Sequence, residues 1–204
     1  MDALILVDLQ NDFLPGGALG VPEGDQVIPV ANRVQEYFDL VIATADWHPP
    51  GHGSFASAHP GREAGDVIEL SGLPQVLWPD HCVQHSEGAA FPPVLDTAKI
   101  AKVIHKGMDP GIDSYSGFFD NGRKNATGLD EYLRERGIDT IYVMGLATDY
   151  CVKYTALDAV SLGYETWLIE DGCRGVEVAL GDIERALGEM AVAGVHVVKS
   201  QDLD

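Results

Sequence analysis

What constrains this 204-residue chain most is the alternation of two hydrophobic periods along its length. Six short runs are apolar almost without interruption, at 3–9, 40–45, 101–105, 140–144, 164–169 and 195–198. Between them, at 25–37, 129–136, 151–163 and 178–193, apolar side chains recur at helical spacing. A strand that is apolar on both faces has to be buried on both, and strands that alternate with helices are joined by crossovers and run parallel. The pattern predicts an α/β protein, a three-layer αβα sandwich around a mostly parallel six-stranded sheet, forming one domain over 1–204. No internal repeat or low-complexity tract breaks it. The segment 49–93 does interrupt the alternation. It is rich in Gly, Pro and His and too long for an ordinary connection, which predicts that it carries the functional site.

Composition removes several classes of function. Hydrophobic residues make up 46% of the chain and charged residues 22%, which excludes a disordered chain. No apolar run approaches the ~20 residues that span a bilayer, so no membrane partner is expected. The first residues, Met1-Asp2-Ala3-Leu4, read as a strand rather than a basic leader, and a cytoplasmic location is expected. Three cysteines at unrelated spacings, Cys82, Cys151 and Cys173, fit reduced thiols, with no disulfide framework or C-x-x-C knuckle. A formal charge of −19, with only 13 Lys and Arg, excludes a nucleic-acid partner. The sequon Asn125-Ala126-Thr127 is incidental in a cytoplasmic chain. A monomer and a homo-oligomer are both open.

Polar residues stand where the apolar runs give out. Asp8 closes the first run, Asp46 the second and Lys106 the third, and Cys151 follows the fourth. In open parallel sheets the ligand crevice lies beyond the carboxyl ends of the strands, so all four point to one place. Any single Asp there commonly caps a turn, and Asp–Lys pairs also occur as plain ion pairs. Cys151 falls in the first turn of a helix, where unpaired N–H groups and the positive end of the macrodipole stabilise a thiolate. The bland alternative is a buried, inert cysteine. Together the residues form a plausible nucleophilic triad, in which Asp8 takes the thiol proton and Lys106 holds Asp8 ionised.

A second cluster has the character of a metal site. Asp46 and His48 lie two apart on extended chain and face the same way, and His81 from the long loop completes three ligands. Carboxylate plus imidazole suits a divalent ion, Zn²⁺ first, with Mn²⁺ or Fe²⁺ as alternatives, and three ligands leave positions for water or substrate. His52 and His85 are candidates for further ligands. His59, His85, His105 and His196 individually read as turn-capping or solvent-facing.

These residues stand in motifs: Val7-Asp8-Leu9-Gln10-Asn11-Asp12-Phe13, Asp46-Trp47-His48-Pro49-Pro50-Gly51-His52-Gly53-Ser54-Phe55, Trp78-Pro79-Asp80-His81-Cys82-Val83, His105-Lys106-Gly107, Asp113-Ser114-Tyr115-Ser116 and Gly145-Leu146-Ala147-Thr148-Asp149-Tyr150-Cys151-Val152. Over essentially its whole length the chain resembles the nicotinamidase branch of the isochorismatase-like cysteine hydrolases. The resemblance implies the triad Asp8, Lys106 and Cys151 and the metal ligands Asp46, His48 and His81, with His52 added in some members. It implies a cis peptide at Leu146-Ala147 that turns the N–H groups of Ala147 and Cys151 toward the substrate as an oxyanion hole. It further implies a small-molecule substrate, nicotinamide, whose ring nitrogen binds the metal and whose ring lies between Phe13 and Trp78. Tyr115, Tyr150 and Leu146 are taken as further pocket residues, although aromatics are more often simple packing. The expected reaction is hydrolysis of a linear carboxamide through a Cys151 thioester, in NAD salvage. The competing readings are a sister hydrolase of the same fold, such as an N-carbamoyl amidase, a ureidoacrylate amidase or isochorismatase, and a non-catalytic zinc-binding or partner-binding protein. A bound metal separates the first, and an alkylation-prone thiol the second.

Overall fold

The first apolar run becomes the middle of a sheet because nothing in it tolerates water. The strand β1, Asp2–Val7, has Ala3 to Val7 wholly inaccessible to solvent. In the computed structural model, which describes residues 1–203, it lies between β2, Val41–Asp46, and β6, Thr140–Leu146. Outside β2 is β5, Ile100–Lys106, and outside β6 come β7, Glu165–Arg174, and β8, His196–Val198. The order is β5-β2-β1-β6-β7-β8, and every pairing is parallel.

Helices flank this sheet. They are α1, Val27–Val34, α2, Leu129–Arg134, α3, Lys153–Ser161, and α4, Asp182–Ala193. Val27, Ile28, Ala31 and Val34 of α1 are buried, the single apolar stripe its periodicity predicts. No helix among the described residues is long and apolar enough to cross a membrane.

The structure departs from the sequence reading in three places. The long segment contains a hairpin of its own, β3, Val67–Leu70, and β4, Leu73–Val76, paired antiparallel. Its Ser71-Gly72 turn takes positive φ at both residues, the two-residue geometry that matches strand twist. Four-residue strands, one interrupted by Pro74, carry too little alternation to register. Strand β7 runs on to Arg174, well past 169, because a register shift carries it across Glu170-Asp171-Gly172, a stretch that reads as a turn. Cys151 does not sit in the first turn of an α-helix. Thr148–Val152 forms one π-helical turn ahead of α3, in which Ala147 O accepts from both Tyr150 N and Val152 N at 3.1 Å.

Candidate active site

The strand order sets β5, β2, β1 and β6 side by side, so the ends of four apolar runs open on one place. Asp46 pairs directly with Lys106 across β2 and β5, Asp8 is the residue after β1, and Cys151 lies on the turn after β6. All four are buried. Lys106 Nζ donates to Asp46 Oδ1 and, at 2.9 Å, to Ser114 O, and it approaches Cys151 Sγ at 3.4 Å. Asp8 Oδ2 is 2.9 Å from the same nitrogen, an ion pair without an aligned hydrogen bond. One oxygen each of Asp8 and Asp46 and the Cys151 sulfur lie within 4.8 Å of one another.

Burial and charge set the protons. Burial works against the Lys106 ammonium, but Asp46 and then Asp8 outweigh it and hold its pKa well above the ordinary lysine range. Burial lifts Asp8 above the usual carboxylate value, against the attraction of Lys106. For Asp46 burial also acts upward, yet Lys106 and then His48 bring it well below that value. The Cys151 thiol is pushed well up by burial, only partly offset by Lys106. The expected resting thiolate is therefore corrected: desolvation outweighs the helix end, and the sulfur keeps its proton until a base takes it. Asp8, with raised basicity, is in place to do so.

Two polar residues that the sequence reading passed over hold this arrangement. Thr44 Oγ1 donates to Asp8 Oδ1 at 2.6 Å and fixes that carboxylate. Gln10, wholly buried, accepts from Asp46 N at 2.8 Å and donates to Asp46 O at 2.8 Å and Ala89 O at 2.9 Å. Their signal was a polar side chain inside or just after an apolar run, and for Gln10 also its place in the motif that begins at Val7.

Asp46, His48 and His81 come together as expected. His48 Nδ1 faces Gly107 O at 2.9 Å and His81 Nδ1 faces Pro79 O at 2.8 Å. A carbonyl only accepts, so each Nδ1 carries the hydrogen and each Nε2 presents a lone pair. Both Nε2 atoms converge on Asp46 Oδ2, at 3.6 and 3.7 Å. His48 Nε2 is buried with no hydrogen-bond partner. Two lone pairs facing a carboxylate oxygen repel unless a cation joins them, so the donor set fits a divalent metal ion. The carboxylate that outweighs burial and favours a proton on His48 attracts a metal by the same charge. His52 is not placed for this set. Its Nδ1 engages Ser54 Oγ and its Nε2 engages Asp109 O, both at 2.8 Å.

A small cavity borders both clusters, lined by Phe13, Trp78, Tyr115, Tyr150, Ala147 and Cys151 together with Asp46 and His81. Leu19, Asp113 and Val176, which the sequence reading did not single out, complete it. Leu146 is corrected: its side chain is wholly buried in the core and does not border the cavity. Its peptide bond to Ala147 is cis, and Ala147 N–H has no hydrogen-bond partner among the described residues. A larger open cleft lined by His105 to Pro110 and Asn125 to Thr127 excludes the thiol and both imidazole ligands.

A buried thiol with a carboxylate at the end of the neighbouring parallel strand is suited to attack on an acyl carbon, the chemistry of a cysteine hydrolase of α/β type. Comparison with known proteins makes the assignment specific. The chain belongs to the isochorismatase family, whose Isochorismatase domain matches residues 2–202. It is 58% identical over 204 residues to a nicotinamidase of Escherichia coli, covering 98% of this chain and 95% of that protein. Among solved structures it superposes with TM-score 0.96 on a nicotinamidase/pyrazinamidase of Acinetobacter baumanii, at 47% identity over 100% of this chain and 98% of the other. A pyrazinamidase of Pyrococcus horikoshii, solved in complex with zinc, aligns with TM-score 0.80 and 40% identity over 97% and 98% of the two chains.

Proposed function

We propose that this protein hydrolyses nicotinamide to nicotinate and ammonia in NAD salvage, with Cys151 as nucleophile. The observation that carries the reading is that Cys151 of the one set and Asp46 and His81 of the other line one aromatic cavity, and that the two sets are joined behind it through Lys106. The named relatives supply the substrate. A zinc ion held by Asp46, His48 and His81 would supply a Lewis-acidic position for the ring nitrogen of the substrate.

The chain's own residues account for the rest. Phe13 and Trp78 confine the ring. Asp8 takes the Cys151 proton as the sulfur attacks the amide carbon, and the N–H groups of Ala147 and Cys151 receive the oxyanion. Asp8 returns that proton to the nitrogen, the C–N bond breaks and ammonia departs. Asp8 then removes a proton from water, which attacks the thioester carbon. The C–S bond breaks, and the thiol regains its proton as nicotinate leaves. Lys106 offsets the buried charge of Asp46 and, when Asp8 is deprotonated, of that carboxylate too.

Incubation with nicotinamide should release nicotinate and ammonia in equal amounts. Cys151→Ala should stop release while leaving the fold and metal content intact, and Asp8→Asn should lower kcat/KM by roughly 10²–10⁴-fold. Undiminished hydrolysis by Cys151→Ala would overturn the covalent route.

A further inference from the structure

Gln75 is the only buried residue of the β3–β4 hairpin strands, and its amide lies beside two cavity residues, Asp113 and Tyr115. Its Nε2 is 2.7 Å from Val76 O, 3.1 Å from Asp113 Oδ2 and 3.1 Å from the Tyr115 hydroxyl oxygen. The Val76 carbonyl and the Asp113 carboxylate accept, so the amide nitrogen and not its oxygen must face this cluster. Asp113 is itself held, since its Oδ1 accepts from Ser114 N at 2.7 Å. From the other side Trp78 Nε1 donates to the same Tyr115 oxygen at 3.2 Å. An indole N–H and an amide NH₂ have no acceptor to offer. The two hydrogens of the Gln75 amide are shared among three acceptors, so the Tyr115 oxygen accepts from Trp78 and lies against an amide nitrogen that cannot accept, while its own hydrogen finds no acceptor among the described residues.

We infer that Gln75 is a positioning residue which, with Trp78, makes the Tyr115 hydroxyl an obligate hydrogen-bond donor to an acceptor atom of the bound aromatic amide. The inference rests on the hydrolysis of nicotinamide proposed above. Burial keeps the phenol protonated well beyond its usual range, so the hydrogen is present at neutral pH. A buried donor left unpaired beside the cavity is costly, and a ligand acceptor removes that cost.

The test is steady-state kinetics on nicotinamide for the unmodified protein, Gln75→Met and Gln75→Glu, each with and without Tyr115→Phe. A methionine takes away the donor and leaves the phenol hydrogen available. A glutamate puts an oxygen acceptor within its reach and captures it. KM should be roughly three- to tenfold higher for Gln75→Glu than for Gln75→Met, the loss of one hydrogen bond, with a smaller change in kcat. With Tyr115→Phe also present, the two Gln75 variants should share one KM. Equal KM values in the presence of Tyr115, or a difference that persists with Tyr115→Phe, would overturn the inference. If Gln75→Glu does not fold by circular dichroism, Tyr115→Phe alone decides: a raised KM with unchanged Cys151 alkylation supports it, and an unchanged KM overturns it. Absence of turnover by the unmodified protein would overturn the functional reading and this inference with it, whereas turnover with equal KM values overturns this inference alone.

Discussion

Lys106 joins two pieces of chemistry that the sequence presented as separate. Its ammonium touches Asp8 of the triad and Asp46 of the metal set, with Ser114 O and the Cys151 sulfur completing its surroundings. Lys106→Met keeps the stem and removes the charge, leaving two buried carboxylates facing each other. Such a loss costs roughly 3–5 kcal/mol, which urea unfolding would measure. It should also move the pH–rate profile. Lys106 lowers the Asp8 pKa, so its removal raises it further above the ordinary value; Asp8 works as a base only when deprotonated, and the acid limb of kcat/KM should move to higher pH. An acid limb at its original pH would show that the lysine is merely structural. Asp8, Asp46, Lys106 and Cys151 were legible because an apolar run that stops at a polar residue is visible in the chain. Thr44 and Gln10 were not, because only the fold shows which atoms they bond.

At the scale of elements, the end of β5 shows how backbone geometry serves a ligand. Gly107 has φ +65°, and a Cβ there would lie 2.4 Å from His48 Cε1, while its carbonyl receives the His48 Nδ1 hydrogen. Gly107→Ala should displace the ring and weaken metal affinity roughly 10- to 100-fold, as changes next to metal ligands do; metal titration of the purified variant would check it. The opposite wall is tethered by Asp12, whose Oδ2 accepts from Cys82 N at 2.7 Å and so fixes the residue after His81. On the proposal that a metal ion at Asp46, His48 and His81 would hold the substrate ring rather than the carbonyl under attack, chelation should abolish nicotinamide turnover while Cys151 stays open to a small alkylating agent. Benzamide, with no ring nitrogen, should be a poor substrate at the outset and lose little more. Equal turnover of nicotinamide with and without the ion would return the three residues to a structural role.

Over the whole molecule, 32 acidic residues against 13 basic ones give a formal charge of −19. Most of that charge stands on the surface, where it repels itself and opposes compaction. Added salt screens it over about 10 Å at 0.1 M, so Tm should rise between low salt and roughly 0.5 M sodium chloride, which scanning calorimetry would read. A flat or falling Tm would show that surface ion pairs outweigh the repulsion. The sequence by itself determined the class of fold, the order along the chain of the main sheet's strands and of the α-helices, and the identity of the polar residues at strand ends. Those are properties of consecutive residues, since burial on both faces and the helical period are written locally. The tertiary structure alone decided that β5, β2, β1 and β6 lie side by side, that Lys106 serves both clusters, that His52 is bonded elsewhere, that Leu146 points into the core and that the Tyr115 hydroxyl is left with a hydrogen to give. Each depends on contacts between residues far apart in the chain, and on the competition between desolvation and charge among the buried side chains of the site. Neither is encoded in any local pattern.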